Sequence, residues 1–239
     1  MAIISRSKRF IFISNGKTGT TSIEDQFGPF ADLLGLNGGL TGLWANKHIP
    51  PAILRSLLPR EIWDSCFKFV FVRHPLDWFT SQYTYNLTPR ARLPQAAGRP
   101  RRLRRLLHRL EQGRAVATAP RLQAVLGSGA PAARRRYTVE DVNHLHEYLR
   151  RYRGLAMAPT LLQTSYVCDA DGKVIVDFIG RFETLEADCH SVSSRLGLAI
   201  TLPHMNRTDH LPPSQAFEPE AEARIRELWA VDFATLGYD

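Results

Sequence analysis

Two short apolar runs stand out in the first third of the chain, Arg9–Ser14 (RFIFIS) and Phe67–Val72 (FKFVFV). Unbroken runs of this length, rich in aromatic and β-branched residues and closed by turn residues, predict buried strands. The first ends in Asn15-Gly16 and passes through the turn NGKTGTTS into a helix that continues through Ile23–Phe27. The second ends at Arg73, after which His74-Pro75 starts a helix reaching Asn86, with Pro75 in its first turn and Asp77 near its positive end. Between them Pro50-Pro51 opens a helix over AILRSLL, closed by Pro59.

Farther on, Thr138-Val139-Glu140-Asp141 resembles a helix-start box before a helix to Arg151. Ser165–Cys168 and Lys173–Asp177 flank Asp169-Ala170-Asp171-Gly172, a hairpin signal, and Asp177–Arg181 extends its second strand. Thr184–Leu196 predicts a helix capped by Gly197. Ile200–Pro213 reads as irregular, and Pro219–Trp229 as a closing helix with Ile225, Leu228 and Trp229 on one face. Strand–loop–helix occurs twice in the first half, which predicts an α/β fold with a mostly parallel sheet. In such sheets, ligands sit beyond the carboxyl ends of the strands.

Composition changes this picture in one place. The 239 residues are 44% hydrophobic and 23% charged, which suits a single globular domain and excludes fibrous or wholly disordered chains. The net charge is +8, but residues 90–136 hold thirteen arginines against one acid, Glu111, a local +12, so the rest of the chain carries −4. This stretch is also rich in Pro, Ala and Gly and too poor in apolar residues for its own core. It reads as an insertion in the domain, with one Arg-rich helix near Leu103–Leu110. Either it is a solvated loop or it meets a polyanion or a membrane surface. With the basic excess confined there, nucleic acid is not the expected partner. Three cysteines, at 66, 168 and 189, with no C-x-x-C pair, argue against a disulfide framework or a zinc site and for a reducing compartment. No run approaches the ~20 apolar residues needed to cross a bilayer.

The candidate chemistry follows the two strands. In Gly16-Lys17-Thr18-Gly19-Thr20-Thr21-Ser22, glycines let the backbone approach a ligand closely. The N–H groups at the helix start point at an anion, Lys17 adds a charge and four hydroxyls add donors. A phosphate-like group fits, while a glycine-rich turn with a solvated lysine is the plain alternative. The loop is not a Walker A sequence, because position 11, where that pattern needs glycine, is Ile11. Arg73 leaves the second strand and Ser81 lies two turns into the next helix, so the two can grip one phosphate from two sides. The alternatives are an ion pair for Arg73 and a surface hydroxyl for Ser81. Arg181 and Glu183 form a buried ion pair at a strand-to-helix turn or contact a ligand. Asn206-Arg207 lies in a loop that could close over a nucleotide.

The order K-T-x-x-T-S, then F-V-R-x-P-x-D-x-x-x-S-x-Y (Phe71 to Tyr83 around Arg73 and Ser81), resembles the sulfotransferases that use 3′-phosphoadenosine 5′-phosphosulfate (PAPS). Gln163-Thr164-Ser165-Tyr166, Val176–Glu183 and Leu202–Arg207 recur in order, and the set is similar to the carbohydrate-type branch, sulfotransferase family 2. The resemblance implies a P-loop-like three-layer fold, with a mostly parallel central sheet flanked by helices. It implies that Lys17, Thr18, Gly19, Thr20, Thr21 and Ser22 bind the 5′-phosphosulfate and that Arg73 and Ser81 bind the 3′-phosphate, with Asn206 and Arg207 as further cofactor contacts. Gly16, His74 and Trp78 stand where relatives commonly carry Pro, Asn and a second Arg.

The expected reaction moves a sulfuryl group from PAPS to an acceptor hydroxyl on a carbohydrate or glycoconjugate, without a metal. Lys17 meets the charge on the leaving phosphate. His48, in a loop before Pro50-Pro51 that resembles the family's histidine-bearing loop, is the expected base, with Asp77 and Glu183 as rivals. A cytoplasmic location fits a chain whose first strand starts so early, with the Arg-rich insertion as a peripheral membrane contact. The competing readings are a P-loop kinase of a sugar or nucleotide and a non-enzymatic polyanion-binding protein.

Overall fold

The computed structural model describes residues 2–32, 48–87, 135–153, 161–202, 211 and 213–239. The expected Arg-rich helix, nearly all of the proposed insertion, Asn206 and Arg207 lie outside the described residues.

Four strands form one sheet in the order β1 (Ile3–Ser5), β2 (Phe10–Ile13), β3 (Phe67–Val72) and β4 (Phe178–Arg181). β1 is antiparallel to β2, and β2, β3 and β4 are parallel. The register sets Ile13 beside Val70 and Val72 beside Arg181, so the carboxyl ends of the parallel strands share one edge.

Period-two alternation sorts the side chains by type. Phe10, Phe12, Phe69 and Phe71 face one way, with Ile23 and Phe27 of α1 (Thr20–Phe27) and Cys189 and Val192 of α6 (Leu185–Leu196). Ile11, Ile13, Val70 and Val72 face the other, with Leu54 of α2 (Pro51–Leu57) and Trp63 of α3 (Arg60–Ser65). Both faces of the sheet are therefore covered, as a parallel sheet requires. Position 180, beside Phe71 in the register, has no room for a side chain: an added Cβ would run into the Phe71 ring.

A third cluster joins α4 (Pro75–Asn86), α5 (Val139–Arg153), α7 (Pro213–Ala216), α8 (Pro219–Leu228) and α9 (Ala230–Leu236), and centres on Phe79, Tyr137, Phe217 and Trp229. Thr138 and Asp141 cap α5 reciprocally. The Thr138 N–H donates to the Asp141 carboxylate (3.0 Å) and the Asp141 N–H to the Thr138 hydroxyl (3.4 Å). Arg135 holds the same carboxylate with two bonds of 2.7 Å, and Arg136 binds the Phe217 carbonyl, so the last two arginines of the basic stretch are anchored to the body.

Four sequence expectations change. Pro59 ends α2 but also serves as N-cap of α3, since proline is favourable at a helix start. Ile3–Ser5 adds an edge strand too short to show a pattern. The closing helix stops at Leu228, and Trp229 turns the chain into α9. The hairpin reduces to one antiparallel bridge, Cys168 to Val174, because Gln163–Tyr166 winds into a 3₁₀ turn and Asp177 is drawn to β3. There its N–H donates to the Lys68 carbonyl (2.8 Å) and its carboxylate accepts from the Lys68 N–H (2.7 Å). Ile23–Phe27 continues α1, which opens at Thr20 within the glycine- and threonine-rich turn; α2, α4, α5, α6 and α8 fall within two residues of expectation, and α7 is additional. Both central strands lie inside their predicted runs.

Candidate active site

The loop after β2 takes a shape that side chains resist. Lys17 has φ 71° and Gly19 φ 78°, both left-handed, at ~1–2 kcal/mol for a non-glycine residue. Gly19 is needed twice over: an added Cβ would stand 2.8 Å from Leu185 Cδ2 and 3.5 Å from the Phe182 ring. Gly19 is the N-cap of α1, no side chain caps the helix, and its first turn holds no acid. The positive end of the helix is thus left for an anion.

The loop is braced from below and from the side. The Thr18 hydroxyl donates to the Asn15 carbonyl (2.8 Å) and the Trp78 indole N–H to the Gly16 carbonyl (2.9 Å). Trp78, where relatives commonly carry arginine, therefore supports the loop by a neutral hydrogen bond. Lys17 Nζ lies 4.2 Å from the centre of the exposed Tyr85 ring. Ser81 falls on the same α4 stripe as Trp78 and Tyr85, at helical spacing, and is buried. Thr20 and Ser22 are buried in the first turn of α1, and Thr21 is exposed.

Arg73 follows β3 and is only 6% exposed. Its guanidinium lies over Phe182, with Cζ 4.1 Å from the ring centre, and its Nε has no hydrogen-bond partner. Among the described residues no carboxylate pairs with it. Burial lowers its pKa, against smaller opposing effects of Asp77, Glu183 and Tyr238. A buried guanidinium with an open donor is costly unless an anion completes it.

Arg181 and Glu183 do not form the ion pair considered for them. Arg181 donates to the Leu236 carbonyl (2.8 Å) and covers the Tyr238 ring at 4.3 Å. Glu183 accepts from the His74 N–H (2.7 Å) and the Tyr238 hydroxyl (3.1 Å). Tyr238 thus separates the two charges and docks the end of the chain beside the sheet edge. Glu183, a rival base, is occupied in this structural role.

His48 stands beside the carboxyl end of β2. Its Nδ1 is 2.8 Å from the Ser14 carbonyl and 3.3 Å from the Ser14 hydroxyl, and that hydroxyl donates to Glu24 of α1 (2.9 Å). A carbonyl only accepts, so Nδ1 carries the hydrogen and the neutral ring has its lone pair on Nε2. Nothing near position 14 in sequence announced this contact.

The structure thus sets the loop, His48, Arg73 and the Ser81 stripe along one edge of the sheet. Sequence reasoning gave no role to Asn15, Glu24, Phe182 or Gln163. The Gln163 motif was visible, but its partners lie 90 and 148 residues away. Among the described residues, no three His, Cys, Asp or Glu side chains gather into a group able to hold a metal, and no helix is long and apolar enough to cross a membrane.

The chain matches the family-2 model described as "Sulfotransferase family" over residues 54–239, more than half its length. It belongs to the sulfotransferase family. The matched stretch includes Arg73, Ser81, Asn206 and Arg207 and begins after the Lys17 loop and His48. No curated protein and no solved structure matches the chain.

Proposed function

We propose that this sulfotransferase takes its sulfuryl group from PAPS and delivers it to a hydroxyl of a carbohydrate or glycoconjugate. The observation that carries the donor reading is the buried Arg73 guanidinium, its Nε without a partner, on the same sheet edge as an uncapped, left-handed loop. Two anion receptors of different construction, one per strand end, suit a nucleotide with phosphates at two positions. PAPS supplies the transferable group as SO₃ on its 5′-phosphate.

The loop N–H groups and Lys17 hold the 5′ end and stabilise the charge that develops on the leaving phosphate oxygen. Arg73 and Ser81 hold the 3′-phosphate and fix the nucleotide in line with the acceptor, the kind of positioning that dominates related group transfers. The acceptor oxygen forms the new S–O bond, the S–O bond to the phosphate breaks, and the acceptor proton passes to Nε2 of His48. Ser14 holds the ring in the tautomer this step needs. Membership in a sulfotransferase family favours this chemistry over phosphoryl transfer.

Radiolabelled PAPS and, separately, labelled ATP offered with a glycan panel in chelator test the proposal. Sulfate incorporation without divalent metal is expected. Phosphate incorporation, or no transfer from PAPS to any glycan, would overturn it.

A further inference from the structure

Gln163 lies beneath both anion receptors and is wholly buried. Its Oε1 accepts from the Arg73 N–H (2.9 Å) and from Asn15 Nδ2 (3.2 Å), and its Nε2 donates to the Arg73 carbonyl (2.7 Å). A backbone N–H only donates and a carbonyl only accepts, so the amide fits in one orientation. Asn15 Nδ2 also donates to the Phe71 carbonyl (3.1 Å), which ties the first residue of the loop to β3. The backbone at Gln163 is fixed in turn. Asp232 of α9, also wholly buried, accepts from the Gln163 N–H (2.8 Å), the Thr164 N–H (2.8 Å) and the Thr164 hydroxyl (2.9 Å).

Burying two amides and a carboxylate is unfavourable unless all are bonded, and apolar residues would fill the same space at less cost. Four of these bonds end on the backbone of Phe71, Arg73 or Gln163. They set where those segments lie relative to one another.

We infer that Gln163 is a positioning residue that locks the phosphate loop and Arg73 in one register, fixing the separation of the two anion subsites, with Asp232 as its anchor. The inference rests on the PAPS reading above. A fixed separation lets the second phosphate of one nucleotide bind almost as an intramolecular event, so the diphosphate gains over either monophosphate. Loss of the lock removes that gain and leaves each subsite able to bind alone.

Calorimetric titration of the full chain and of Gln163→Leu with adenosine 3′,5′-diphosphate, 5′-AMP and 3′-AMP reads this directly. The variant should weaken the diphosphate by about 10-fold or more, the scale of a hydrogen bond lost from a buried network, while each monophosphate changes by less than about 3-fold. Should Gln163→Leu fail to fold, Asn15→Ala, which removes only the loop side of the lock, should give the same selective loss. Equal losses for all three nucleotides, or none, would overturn the inference and leave the donor reading standing. A wild-type chain that binds no diphosphate would overturn both.

Discussion

The ends of β2 and β3 solve one problem in opposite ways. After β2, an anion would meet several backbone donors, a lysine and hydroxyls, all held by a strained loop. After β3 it would meet the buried Arg73 guanidinium, set over Phe182 with its Nε short of a partner, and beside it the Ser81 hydroxyl. The first receptor depends on backbone shape and tolerates changes of side chain. The second depends on particular side chains, the Arg73 guanidinium above all. His48, tethered to Ser14, adds a group whose work is in the chemical step rather than in binding.

The largest effect should come from that third group. His48→Ala should lower turnover ~10²–10⁴-fold, the range for a general base, with little change in PAPS affinity. Steady-state kinetics beside calorimetry separates the two quantities, and an alanine variant with normal turnover would remove His48 from the mechanism.

Next, Arg73→Ala should weaken the 3′,5′-diphosphate by roughly 1.5–3 kcal/mol, about 10- to 150-fold, while 5′-AMP binding stays near normal. Equal loss for both nucleotides would break the contrast between the two strand ends. Gly19→Ala should cost ~1–2 kcal/mol in stability through its positive φ and the Leu185 contact, a fall of a few degrees in Tm, and should weaken the 5′ end as well. The smallest effect belongs to Thr21→Ala, an exposed hydroxyl in a receptor built on backbone donors. Its diphosphate affinity should change by less than about 1 kcal/mol by the same titration.

The sequence displays what is local. Phe67–Val72 and Pro75–Asn86 appear at their predicted bounds because an apolar run and a proline in the first turn settle strand and helix within a few residues. Lys17, Arg73 and Ser81 were found for the same reason, each standing at a fixed offset from a strand end. What escaped depends on distant partners. Asp177 belongs to β3 through Lys68, so the hairpin beside it lost its second strand. Asp232 draws in the backbone at Gln163, and a 3₁₀ turn replaces the first strand. No window of residues around Gln163 contains Asn15 or Asp232, so the lock beneath the site has no local signature.

The bare position at Gly180 also couples two places in the chain. Phe71 lies over it from the neighbouring strand, one residue beyond the contact that ties β3 to β4 at Val70. A lone Gly180→Ala would collide with the ring, and a lone Phe71→Leu would leave part of the aromatic face of the sheet unfilled. A change at position 180 is therefore tolerated first in a chain that has already shrunk position 71, one residue short of the strand end from which Arg73 departs.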